Sequence, residues 1–121
     1  MVALIASILL LTTPPKVGFT GTWKGESLCT VRPSACHDEV VIYDVTEEKK
    51  SKLHWKASKI VEGEEKWMGT LECEASNQVA FCSIPNGKWE FHAEGDNMTG
   101  TLKLNDGTLF RKVSVKRYQR N

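Results

Sequence analysis

Between residues 19 and 118, apolar and polar side chains alternate with a period of two, in segments of about 6 to 12 residues. In KLHWKAS, GKWEFHAE and NMTGTLKL, one face takes Leu53, Trp55 and Ala57, then Trp89, Phe91 and Ala93, then Met98, Gly100, Leu102 and Leu104. No helical period competes. Turn signals fall between the segments: RPSA at 32–35, EEKKS at 47–51, EGE at 62–64, ASNQ at 75–78, PNG at 85–87, GDN at 95–97 and NDG at 105–107. Asn-Gly and Asp-Gly supply the positive φ that tight hairpins need. The spacing therefore predicts eight short strands joined by seven turns.

Connections this short cannot make parallel crossovers, so the chain is expected to run as an antiparallel up-and-down meander. Left open, such a sheet exposes two edges, and pairing the first strand with the last removes both. The fold class that follows is all-β: eight antiparallel strands closed into a small barrel. A Greek-key sandwich would need a long return connection that the spacing does not provide.

Residues 2–11 differ from the rest in being an almost unbroken apolar run, the length of a signal-peptide core and too short for a membrane span of about 20 residues. The expected organisation is a leader at 1–15 and one barrel domain at 16–121, exported to the periplasm or secreted, without stable membrane insertion once the leader is removed. No Lys or Arg precedes the run and no small-x-small cleavage site follows it. Four cysteines point to the same oxidising compartment, and no Cys-x-x-Cys suggests a redox or zinc centre. Cys73 and Cys82 are symmetric about Asn77 and Gln78, which predicts a cross-strand disulfide. Cys29 and Cys36 are symmetric about Arg32 and Pro33 and are expected to close the first hairpin at its turn.

Composition narrows the partners. With 121 residues, 40% hydrophobic and 26% charged, the chain is long enough to bury one core. Sixteen basic and fifteen acidic residues leave a formal charge of +1, so nothing draws the protein onto nucleic acid.

FTGTWKGES, with Gly21, Thr22 and Trp23 opening the first strand, and LFRKVSVKRY, with Arg117 near the end of the last, resemble the two sequence marks of the calycin superfamily of lipocalins, fatty-acid-binding proteins and avidins. The resemblance implies a ligand-holding barrel whose floor is closed by Trp23 with Arg117 lying across it. It spans residues 19–118 but lacks the lipocalin helix, the helical lid of fatty-acid-binding proteins and the avidin biotin pattern. The start GTW…C…CHDE is also similar to small exported bacterial proteins to which no function is attached.

An eight-stranded barrel is just wide enough to fill itself or to hold one small ligand. Gly21, Gly25 and Ser27 beside Trp23, Gly69 between Trp67 and Leu71, and Gly100 between Met98 and Leu102 allow either a pocket or strong strand coiling on the inner face, while four tryptophans favour filling it. A cavity there would be lined by Tyr43, Trp55, Trp67, Trp89 and Phe91. Near Cys36, alternation puts His37 and Glu39 on one face and Asp38 on the other, so the three do not converge as a metal or catalytic site. They read as a charged shoulder of a stapled hairpin, or as a binding rim at the barrel mouth. His54 and His92 alternate with inward residues and are expected to face solvent on non-adjacent strands. No metal and no cofactor is implied.

Two functions fit. One is an exported binder of a small apolar molecule in the barrel interior; the other is a protein-binding barrel, such as a periplasmic protease inhibitor, with a filled interior and a functional rim. Catalysis is not expected, since no acid–base pair, nucleophile elbow or phosphate loop is visible.

Overall fold

The structure, a computed structural model, describes residues 18–120 apart from residue 33. The leader expected at 1–15 lies outside the described residues. Eight strands follow: β1 (Gly21–Cys29), β2 (Glu39–Lys49), β3 (Lys52–Val61), β4 (Glu64–Ser76), β5 (Val79–Ile84), β6 (Gly87–Glu94), β7 (Asn97–Leu104) and β8 (Leu109–Arg117). Each pairs antiparallel with the next, and β1 pairs with β8, so the meander closes into a barrel. The turns fall where the polar dipeptides predict. Glu62 and Gly63, both at positive φ, connect β3 to β4 in two residues, and Asn77 takes positive φ between β4 and β5. No helix among the described residues is long and apolar enough to cross a membrane.

Both disulfides form as expected, Cys29 with Cys36 and Cys73 with Cys82. Cys73 stands directly opposite Cys82 in the β4–β5 register. The first bridge is built differently from a paired hairpin: β1 and β2 stay in register only as far as Ser27 opposite Glu39, so Cys36 lies in the 30–38 connection and the bridge ties that loop back to the end of β1.

One end of the barrel is packed solid. Trp23, Trp55, Phe91, Met98 and Val45 are fully buried there. Trp55 and Phe91 stack with centroids 4.4 Å apart, and Phe19 and Tyr43 contact Trp55 at 6.0 and 5.6 Å. Gly100 makes this possible, because a Cβ at that position would run into the Phe91 ring. Trp23 and Arg117 are direct cross-strand partners, and the guanidinium carbon of Arg117 lies 4.2 Å from the Trp23 ring centroid.

The alternation breaks at one place that matters for the interior. Opposite the step from Ala57 to Ser58 on β3, β4 advances from Gly69 to Trp67, leaving Met68 as the extra residue of a β-bulge. Gly69 takes a φ of 156°, where a side chain would be strained. N-terminal to the bulge the faces are exchanged, so Trp67, expected inside, stands on the outer surface with 66% of its area exposed. On the same outer side, the C-terminal tail is fixed by Arg120, which donates to both Asp44 oxygens at 2.7 and 3.0 Å and to Glu65 at 2.6 Å.

Candidate functional site

The site lies at the opposite end from Trp23, where the 30–38 connection and the β3–β4, β5–β6 and β7–β8 turns form the rim. Inside that rim is a cavity of about 370 Å³. Val41, Ala57, Leu71 and Trp89 supply an apolar wall, with Met68 and Gly69 of the bulge at its edge; Ser27, Glu39, Tyr43 and Arg111 supply polar groups. These residues come from β1, β2, β3, β4, β6 and β8, so only closure of the barrel assembles them. A depression of about 460 Å³, bounded by β1 and β6–β8 and lined by Glu26, Leu28, Glu90, Thr99 and Lys112 among others, is larger but is built mainly from outward-facing positions of the sheet rather than from the barrel interior.

Arg111 organises the polar side. Its Nη1 donates to the carbonyl and hydroxyl oxygens of Ser27 at 3.2 and 3.0 Å, and its Nη2 to the carbonyl of His37 at 3.0 Å. Glu39 Oε1 stands 3.7 Å from Arg111 Nη1, and Glu39 Oε2 is 3.5 Å from Lys59 Nζ at the rim. The two side chains are only 14% and 19% exposed, so the pair sits inside the mouth rather than on the surface. Tyr43, buried beneath them, has its phenol pushed well above the ordinary value, chiefly because burial penalises the phenolate. Arg111 partly opposes that shift and Glu39 adds to it. The hydroxyl therefore stays protonated and can donate or accept a hydrogen bond.

Of the five aromatic residues expected to line a cavity, Tyr43 and Trp89 do so. Trp55 and Phe91 are fully buried behind them and fill the barrel instead, while Trp67 is outside. The rest of the aromatic set is nonetheless connected to the cavity: Trp89 lies parallel to Phe91, at 9° and 5.4 Å between centroids, and Phe91 continues the stack to Trp55. Trp55 Nε1 has no hydrogen-bond partner among the described residues.

His37, Asp38 and Glu39 separate into three roles, as their alternation implies. Asp38 Oδ1 accepts from the Cys29 amide at 2.8 Å and from Arg32 at 2.6 Å, fixing the stapled loop. His37 lends its backbone carbonyl to Arg111 and exposes its ring. Glu39 alone reaches the cavity. Arg111 was the residue that pattern reading missed, although it shares the inward phase of Val113 and Val115 on β8; a charge in that phase of a barrel strand was the available signal.

His54 and His92 face outward on β3 and β6, as expected, each against a carboxylate: His54 Nδ1 lies 2.7 Å from Glu72, and His92 Nε2 2.6 Å from Glu90. With Glu48 added, His54 and Glu72 bring three possible metal-ligand atoms within 4.8 Å of one another, on the exposed outer face and away from the cavity. The bulge at Glu48 in β2 places that third carboxylate.

No protein-family model, curated protein or solved structure matches this chain. Its class is therefore given by its own architecture: a disulfide-stapled, eight-stranded antiparallel barrel, packed at one end and open to a cavity at the other.

Proposed function

We propose that this protein is an exported binder of a small, mostly apolar molecule, held in the mouth cavity of a calycin-like barrel. The observation that carries the reading is the cavity itself: about 370 Å³ inside the strand ring, walled by Val41, Ala57, Leu71 and Trp89. That volume lies in the range of about 300 to 1,000 Å³ typical of small-molecule sites, which pair an apolar wall with a few fixed polar groups. Ser27, Glu39, Tyr43 and Arg111 are such groups. Export is supported by the two disulfides, which persist in oxidising compartments. The calycin likeness is supported by the closed meander and by Arg117 over Trp23.

The test is titration of the oxidised protein with N-phenylnaphthylamine, an uncharged apolar fluorophore. One molecule binds per chain, with little dependence on salt, because the affinity comes from buried area. Ala57→Leu, which fills the cavity from a regular strand position, abolishes uptake while circular dichroism stays unchanged. A wild-type protein that takes up no probe overturns the reading.

A protein-binding role keeps one specific support, the bulge that holds Trp67 out in solvent beside Met68, since an exposed tryptophan on a rigid strand is a common anchor for a partner. Capture of a partner from host extract that is lost in Trp67→Ala, with cavity-filling variants unaffected, would favour it.

A further inference from the structure

Resting on the reading that the mouth cavity holds a ligand, the arrangement of its walls defines the chemistry of that ligand. Three aromatic rings form a column up the barrel: Trp55 on Phe91 at 25° and 4.4 Å, then Phe91 with Trp89 at 9° and 5.4 Å. The column ends at the cavity, because Trp89 lines it and the two rings below are buried. A flat ring laid on Trp89 continues the stack, and offset stacking adds to the apolar contact that any hydrophobic ligand would gain.

The polar side is equally specific. Arg111 and Glu39 are 3.7 Å apart, close enough for their charges to cancel and too far to hydrogen-bond each other. Three of the five guanidinium N–H groups are committed to Ser27 and His37. That leaves the Nε–H and one Nη2–H of Arg111 for a ligand, while Glu39 Oε1 stands 3.7 Å from Nη1 and Glu39 Oε2 is 3.5 Å from Lys59 at the rim. An anionic ligand group set against both residues meets Glu39, and a cationic one meets Arg111, each at the cost of bringing like charges together in a poorly solvated place. A neutral group that accepts on one atom and donates from the next satisfies both.

We infer that the ligand is a neutral, planar aromatic molecule whose edge carries a hydrogen-bond acceptor beside a donor, as in a primary amide, with its ring on Trp89 and its edge alongside Arg111 and Glu39.

The experiment is calorimetric titration of the oxidised full-length protein with naphthalene carboxamide, its carboxylate and amidinium analogues, and decalin carboxamide. In the wild type the neutral aromatic amide binds roughly tenfold tighter than each of the other three, the size of effect expected when one buried polar group is left unmatched or one stacking contact is lost. Glu39→Gln moves the preference towards the carboxylate and Arg111→Gln towards the amidinium, opposite shifts that a merely structural role would not produce. Trp89→Leu removes the advantage of naphthalene over decalin while retaining binding of both amides. Equal affinity for the naphthalene and decalin amides, or a wild-type preference for either charged analogue, overturns the inference. If N-phenylnaphthylamine binds while this order is missing, the inference alone fails; if neither that probe nor any member of the series binds, the cavity reading fails with it.

Discussion

Arg117 lies over Trp23, its guanidinium carbon 4.2 Å from the ring centroid, and from there donates to the carbonyls of Thr20 at 2.9 Å and Gly18 at 3.0 Å. One side chain therefore joins the last strand to the first and ties down the segment that enters β1. Trp23 is held from its other end as well, since its Nε1 donates to the carbonyl of Phe19 at 2.9 Å. Arg117→Ala should lower stability by about 2 to 3 kcal/mol, through lost cation–π contact and unpaired carbonyls. Trp23→Ala should cost about 3 to 5 kcal/mol. Urea denaturation of both single variants and the double variant should give a coupling of at least about 0.5 kcal/mol, and strict additivity would contradict the contact.

The two buried indoles should respond differently to replacement by phenylalanine. Trp23 loses the indole hydrogen bond to Phe19 and part of its contact with the Arg117 guanidinium, whereas Trp55 loses an N–H that has no partner among the described residues. Removing an unpaired buried donor returns its desolvation penalty of about 1 to 3 kcal/mol, which offsets the cavity left by the smaller ring. Trp55→Phe is therefore expected within about 1 kcal/mol of wild type by the same urea measurement, and Trp23→Phe well below it.

Non-reducing peptide mapping should recover Cys29 joined to Cys36 and Cys73 joined to Cys82, and no other link. Each bridge closes a loop of similar length, so on the chain-entropy model each contributes about 2.5 kcal/mol. The double replacement Cys73→Ala with Cys82→Ala should cost more than that, because both side chains are also buried in the core. Replacing Cys29 and Cys36 should instead loosen the 30–38 connection and disturb the His37 carbonyl that positions Arg111.

Tyr43 gives the protein an alkaline limit. Its folded-state pKa is raised by burial above the unfolded value of about 10. Below that pH both states keep the proton, and stability does not depend on it. As pH rises through about 10, the unfolded chain ionises while the folded one does not, so the unfolded state binds fewer protons and unfolding becomes easier. Tyr43→Phe should flatten the fall in urea midpoint between about pH 9.5 and 11, leaving the neutral-pH value less affected; an unchanged slope would place the phenol in water.

Glycine replacements should separate the packed end from the open one. Gly100→Ala sets a methyl group into the Phe91 ring and should cost roughly 1 to 3 kcal/mol by overpacking. Ala57→Leu projects into the cavity and should cost less than about 1 kcal/mol while blocking ligand entry. Comparable losses from both changes in thermal melts would mean that the mouth is as full as the floor.

Much of this architecture is local and could be read along the chain. Alternation marks each strand, Asn-Gly, Asp-Gly and Glu-Gly mark the turns, and two-residue turns force antiparallel neighbours, so the order β1 to β8 and the opposition of Cys73 to Cys82 follow from sequence separation alone. Trp23 and Arg117 at the two ends of the domain signal closure. Inward phase, however, holds only while the register is unbroken, and the extra residue Met68 reversed it for Trp67, which no pattern of residue types announces. Whether a barrel is full or open depends on summed side-chain volume around the whole ring. Trp55 and Phe91 collapse onto Gly100 at one end, and the smaller Ser27, Ala57 and Gly69 leave space at the other. The pairing of Glu39 with Arg111 is of the same kind: β1 separates their strands and the rest of the chain separates their positions, and only closing the sheet on itself brings the two charges to one mouth.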